Sequence, residues 1–313
     1  MFIIKSVGSF MSDCYKLSLS QSIQSVFLFC LFVIRIWVEM IEEVLYSAVN
    51  AGDVRIVKRI LTLPNLSIDL NWGDEEWGRT AFYRACYLGF IDIVKLLMED
   101  ERVDVNQTQN EGASPLLIAC QENHIEIVKL LLNDPRVLVN RAALNGVSPF
   151  LISCDRGYLE LVKLLFQDQR IDVNEKMADQ ATPFLIACEK GRVDVVRFLL
   201  SCKNVDINSP EESNSTPLYQ AVVNGHLDVV KWLLASEREV DITITRNGRT
   251  ALDEAKISKA LPKRNSENEE KMLIRRRNCQ EIEKILTSFQ NDKIQTQFQL
   301  RKELGILGKQ KIN

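Results

Sequence analysis

Four cysteines stand 34 residues apart, at Cys86, Cys120, Cys154 and Cys188. Three of them close the phrases "SPLLIAC" (114–120), "SPFLISC" (148–154) and "TPFLIAC" (182–188). Thiols placed so regularly invite a reading as metal ligands or redox pairs. The chain's two histidines, His124 and His226, are the remaining material for ligation or acid–base work. A zinc site, however, needs four ligands converging on one point, and paired-cysteine zinc spacing is missing here. A Gly-rich phosphate loop and a Gly-x-Ser-x-Gly elbow are missing as well. No catalytic residue, metal ligand or cofactor is therefore assigned.

The spacing belongs to something larger than the cysteines. Thr/Ser-Pro/Ala dipeptides begin at Thr80, Ser114, Ser148, Thr182, Thr216 and Thr250, each 34 residues after the last. Five residues beyond each anchor lies a small side chain: Ala85, Ala119, Ser153, Ala187, Ala221 and Ala255. Nine beyond come Gly89, Asn123, Gly157, Gly191 and Gly225, and two before come Gly78, Gly112, Gly146, Gln180, Asn214 and Gly248. A period of this size signals stacked supersecondary units.

Each unit reads as two short helices and a turn. Ser or Thr is an N-cap, and Pro suits the first helical position because its missing N–H would be unpaired there anyway. The first helix stops at Gly or Asn, which tolerate a left-handed terminus. The next run, as in "IEIVKLLLND" (125–134), carries Ile125, Val128, Leu131 and Leu132 at helical spacing. An extended "VDVN", "VLVN" or "VDIN" follows, then a polar stretch with Gly that reads as a hairpin-like turn. Tetratricopeptide units share the 34-residue period, but they lack the extended segment and carry Pro at the end of a unit.

Read together, these units resemble ankyrin repeats, whose motif runs Gly-x-Thr-Pro-Leu-His-x-Ala-Ala, Gly-His, Val-Val-x-Leu-Leu, Asp-Val-Asn. "STPLYQAVVNGHLDVVKWLL" (215–234) is the nearest match, and the resemblance covers residues 41–255 continuously. It implies an all-α solenoid of stacked helix pairs with hairpin-like loops. The family unit has 33 residues; the extra one here falls in linkers such as "NDPRVLVN" and "EDERVDVN". The motif histidine is replaced by Tyr83, Leu117, Leu151, Leu185, Tyr219 and Asp253. His124 and His226 match the Gly-His position, which implies packing and turn roles. The cysteines take the place of the second Ala, so they face neighbouring repeats from equivalent points on parallel helices. Packed helices lie about 8–10 Å apart, beyond the Cα separation of about 7 Å that a disulfide spans. A ladder of buried, spacer-like thiols is expected.

An array must seal both ends. At the front, "MIEEVLYSAVNAGDVRIVKRIL" (40–61) keeps Ala48, Gly52 and Val57 in register but has Glu43 at its anchor, as an atypical first repeat would. At the back, a seventh unit begins at 249–260 and is interrupted by the charged insert 261–278, read as a loop or an extended helix. "CQEIEKILTSF" (279–289) then resembles the delayed second helix. The array thus spans 40–290, and 291–313 is a capping helix and tail. In "DKIQTQFQLRKELGIL" (292–307), Ile294, Phe298 and Leu300 fall near Leu304, an amphipathic pattern over the open end. Lys263-Arg264 and Arg275-Arg276-Arg277 match a bipartite nuclear import signal in spacing.

Composition restricts function. With 39 basic and 42 acidic residues, the net charge is −3, without the basic excess of a nucleic-acid binder. Eight cysteines would fit a secreted disulfide framework, but residues 1–39 argue otherwise. The apolar run "VFLFCLFVI" (26–34) is followed by Arg35, whereas a spanning helix needs about 20 apolar residues. It also lies late for a signal peptide and lacks a small-residue cleavage pattern. Residues 1–39 read as a leader, with a membrane anchor at 26–38 as the alternative. The expected protein is a cytoplasmic, monomeric, non-enzymatic scaffold or adaptor that binds a partner protein. Nuclear or membrane-associated locations are the alternatives.

Seven and eight residues after each anchor the chemistry changes from unit to unit: Tyr87-Leu88, Gln121-Glu122, Asp155-Arg156, Glu189-Lys190 and Val223-Asn224. The resemblance implies that these positions line a concave, partner-binding face. Trp77, in the aromatic loop "NWGDEEWGR" (71–79), is added to them, with Trp72 or Trp77 as a plug for that loop being the alternative. Aromatic residues and Arg dominate binding hot spots.

Overall fold

The computed structural model describes residues 40–63, 68–260 and 267–306. They form fifteen helices and no strands, so the expected all-α architecture is what the chain adopts. The apolar segment 26–38 and Lys263-Arg264 lie outside the described residues. No helix among the described residues is long and apolar enough to cross a membrane. By its internal contacts the chain divides at Asp104 and Val105 into two compact units.

The first unit holds α1 (40–50), α2 (Val54–Leu61), α3 (Ala81–Leu88) and α4 (Ile91–Met98). Thr80 caps α3 by accepting from the Tyr83 N–H at 3.0 Å. Leu45, Val49, Val57, Ile60, Phe82, Ile93, Val94 and Leu97 are buried. Asn71 uses both ends of its amide as a tie, donating to Arg102 O at 2.8 Å and accepting from Asp104 N at 2.7 Å.

The second unit repeats this plan. Its first helices are α5 (Pro115–Gln121), α7 (Pro149–Arg156), α9 (Pro183–Glu189), α11 (Pro217–Val223) and α13 (Ala251–Ser258). Its second helices are α6 (Ile125–Asn133), α8 (Leu159–Phe166), α10 (Val193–Ser201) and α12 (Leu227–Ala235). The first helices pack side by side in chain order from α5 to α13. Every anchor hydroxyl accepts from the backbone N–H three residues on, at 3.1–3.2 Å. Asp253, standing where the motif histidine would be, returns the bond to the Thr250 N–H and completes a capping box. The hairpin-like loops close on backbone bonds such as Gln109 N to Ala113 O, Ala143 N to Val147 O and Met177 N to Ala181 O, each with a second bond inside the turn.

Within this unit, asparagine ties each repeat to the next. Asn106, Asn140, Asn174 and Asn208 each donate to a carbonyl 30 or 31 residues ahead and accept from a backbone N–H 32 or 33 ahead. Both halves of each amide are satisfied, which fixes the offset between neighbours. Two of the longer linkers carry an ion pair of their own. Asp134 and Asp168 grip Arg136 and Arg170 at 2.6 Å and also accept the arginine's own N–H. The guanidinium holds each of these carboxyls below the usual range.

The thiols of Cys86, Cys120, Cys154 and Cys188 are fully buried and free, as expected of spacer residues. Burial pushes all four up in pKa, Cys120 to about 12 despite a hydrogen bond with Ser153. An electrophile needs the thiolate and access to it, and these groups offer neither. Native protein treated with iodoacetamide at neutral pH is expected to label them at least about 100-fold more slowly than urea-unfolded chain. Half-buried Cys202 should label ahead of them. Mass spectrometry of the labelled peptides reads this directly; equal rates would mean that the ladder is open to solvent.

The C-terminal end departs from the repeat. The charged insert and the delayed second helix are one 23-residue helix, α14 (Glu269–Asn291), capped by Asn268 and packed on α11, α12 and α13. Cys279, Ile282, Leu286 and Phe289 are its buried stripe. Helix α15 (Lys293–Glu303) covers α12 differently from its sequence pattern. Only Leu300 is buried, while Ile294 and Phe298 face solvent. The reason is what α15 meets: the carbonyl end of α12, which calls for donors. Gln297 Nε2 donates to Leu234 O and Ser236 O, Arg301 Nε to Ala235 O, and Lys231 pairs with Glu303 at 3.2 Å.

Candidate functional site

In the first unit the aromatic loop is built around Asp74. Its carboxylate accepts from the Tyr46 hydroxyl at 2.7 Å, Arg79 Nε at 2.9 Å and the Trp77 N–H at 2.7 Å. Burial alone would raise the Asp74 pKa, but these three donors hold it below the usual carboxylate range. Burial, followed by the bond to Asp74, pushes Tyr46 up to about 12. Trp72 is half-buried and packs edge-on against Tyr46 at 5.8 Å. Trp77 is 40% exposed, with the Arg79 guanidinium 5.6 Å from its ring centre. Tyr87 is 37% exposed beneath Arg84 at 5.0 Å, and Leu88 ends α3 half-buried. Arg84 is itself steadied by Asn50 at 2.8 Å. The result is two exposed rings, each carrying a cation on a face.

In the second unit the remaining candidates sit at the C-terminal ends of α5, α7, α9 and α11. Gln121 donates to the exposed Glu122 at 3.0 Å. Asp155 and the exposed Arg156 lie 3.9 Å apart, and Glu189 holds the exposed Lys190 at 2.8 Å. Val223 and Asn224 are half-buried, with Asn224 turned back onto Gln220 O at 2.9 Å. Because these helices pack in order, equivalent ends form one row. Along it, Asp155 with Arg156 and Glu189 with Lys190 are charges paired within their own repeats.

The next repeat pins two of the helix ends beneath this row, those of α7 and α9. Arg192 Nε donates to Asp155 O at 2.6 Å, and His226 Nε2 lies 2.8 Å from Glu189 O. The stem of Arg192 lies over Gly157, where a Cβ would meet its Cδ at 2.8 Å, so glycine is required there for packing as well as for its φ of +79°. His226 thus has the packing and turn role expected of the Gly-His position. The last helix end is served from α14: Asn278 Nδ2 donates to Gly225 O at 2.9 Å, and Arg275 covers Gly225.

Arg275 was legible only as one member of a basic cluster. In the structure it is 4% exposed and clamps Glu267 with two bonds of 3.0 and 3.1 Å. Its third donor goes to Ser258 O at 3.1 Å. A receptor for basic clusters could not reach it in this fold. The sequence signal that would have found it is Glu267 eight residues upstream, across a helix start. Among the described residues, no cluster of three or more His, Cys, Asp or Glu side chains could hold a metal ion.

A family model described as ankyrin repeats (3 copies) matches the chain over residues 45–142, 134–211, 150–246 and 205–261. No curated protein matches it.

Proposed function

Because the chain belongs to the ankyrin repeat family, whose repeats are generally protein–protein interaction modules, we propose that it is a non-enzymatic scaffold that captures a partner protein through its first-helix ends. The surface in the second unit is the row Gln121, Glu122, Asp155, Arg156, Glu189, Lys190, Val223 and Asn224. The first unit carries candidate contacts of its own, Trp77, Tyr87 and Leu88. One observation carries this reading. The row changes chemistry at each step while the ends of α7, α9 and α11 under it are held by bonds from the element that follows. Side chains on a rigid support lose little further entropy when a partner arrives. The exposed charges are poor contributors to stability, so their variation is cheap for the fold.

The test uses full-length protein immobilised for affinity capture, with mass spectrometry to identify what is retained. Arg156→Ala and Trp77→Ala, made separately, should leave helical content and melting unchanged. Each should weaken retention of the partner by about 2 kcal/mol, the hot-spot range. If both variants retain it as the parent does, the contact surface lies elsewhere.

A further inference from the structure

The repeats serve as controls for one another, and one loop departs from them at three exposed positions. The second residue of the extended segment is Asp69, Asp104, Asp172, Asp206 and Asp241 in five units, and Leu138 in the sixth. The aspartate has local work. Asp69, Asp172, Asp206 and Asp241 accept the N–H two residues on, at 2.8–3.0 Å, a bond that reinforces the turn. Leucine gives that up and is 55% exposed instead. Four residues before the anchors stand Glu76, Asn110, Ala178, Glu212 and Arg246, but here Leu144, which is 81% exposed. Seven before them stand Gly73, Gln107, Glu175, Ser209 and Thr243, but here Arg141.

Arg141 lies midway in sequence between the two leucines and is exposed. Its Nη1 donates to a neutral group, the Asn106 carbonyl, at 2.9 Å. No carboxylate lies within ion-pair distance of it among the described residues, whereas Arg136 and Arg170 on the flanking linkers each have their own aspartate. The loop that carries the three side chains is held firmly. Leu138 N donates to Asn106 Oδ1, Leu144 N to Glu111 O, and Ala143 N to Val147 O. The Asn106 side chain, the Glu111 carbonyl and the loop's own turn thus hold the backbone that carries the exposed Leu138 and Leu144.

We infer that this loop docks an acidic peptide segment of a partner, with Leu138 and Leu144 packing on its apolar side chains and Arg141 taking its carboxylate. Two solvated leucines gain when apolar area is covered. A guanidinium without a carboxylate partner supplies the charge complement that favours an acidic segment over a basic one. None of these residues belongs to the helix-end row, so this surface and that one fail separately.

The probe is a displayed library of random 16-residue peptides selected on the full chain. Enriched peptides should carry Asp or Glu flanked by apolar residues, and synthetic versions should bind by fluorescence anisotropy. Leu138→Asp restores the residue of the other five repeats, so it should fold with an unchanged or higher melting midpoint while binding at least 10-fold more weakly. Arg141→Glu should lose binding to the same extent and regain it for a peptide whose acid is replaced by Lys. Arg156→Ala should leave this binding unchanged. The inference is overturned if no peptide family is enriched, if enriched peptides lack acids, or if they bind Leu138→Asp as tightly as the parent. It is equally overturned if sedimentation shows a dimer that Leu138→Asp dissolves, because the loop would then be covered by a second copy.

Discussion

Phe150→Ala is expected to lower stability by about 3–5 kcal/mol, the usual cost of emptying a phenylalanine site in a core. Phe150 is fully buried on α7, which packs against α5 before it, α9 after it and α8 in its own repeat. In a globular core the surroundings could partly collapse around the cavity. Here α5 and α9 are held at set offsets by Asn106, Asn140 and Asn174, each bonded twice to the next linker. Relaxation is therefore limited, and the cost should fall toward the upper end of the range. Repeat arrays draw their stability from neighbour contacts, so the loss should also weaken cooperativity. Urea unfolding should show an earlier midpoint with a shallower slope, and hydrogen exchange should quicken first at α7 and its two neighbours. The same truncation at Phe184, the equivalent buried position on α9, should cost a similar amount. A shift of under about 1 kcal/mol with an unchanged slope would mean that the repeats do not couple through this layer.

Much of this architecture is legible before any coordinates because its determinants are local. Each anchor oxygen is satisfied three residues away, and each left-handed terminus falls at a residue that tolerates it. Register then carries the information from one repeat to the next, so the buried face and the half-exposed helix ends can be counted off. Legibility stops where register stops. The insert after Ala260 breaks the count, and nothing local shows that residues 269–291 form one helix. Ile294 and Phe298 mislead for a different reason. Their spacing is that of an apolar stripe, but the surface available to α15 is a set of α12 carbonyls, and Gln297 and Arg301 answer it. The helix-end row is readable as exposed and variable; what it binds is set by a second molecule. The departures at Leu138, Arg141 and Leu144 are in the sequence from the start. They gain meaning once aspartate at the first position is seen to bond its own turn.

Arg275→Ala is expected to be as severe, at about 3–5 kcal/mol, by removing one partner of a buried ion pair. The guanidinium is enclosed, bonded twice to Glu267 and once to Ser258 O, and its stem covers Gly225. Alanine would take two hydrogen bonds from the nearly buried Glu267 carboxylate and one from the Ser258 carbonyl. It would also open a gap above the end of α11. Because the penalty comes from the weakened carboxylate more than from the lost attraction, removing both charges should restore most of the stability. Arg275→Met with Glu267→Leu is predicted to lie within about 1 kcal/mol of the parent, since apolar replacement of a buried pair is often neutral or better. A double-mutant cycle from urea titrations gives the coupling energy. Hydrogen exchange in residues 269–278 locates it, because Arg275 links the start of α14 to the end of α13. If Arg275→Ala alone is mild and exchange at the start of α14 does not change, the early turns of that helix are held by something other than this pair.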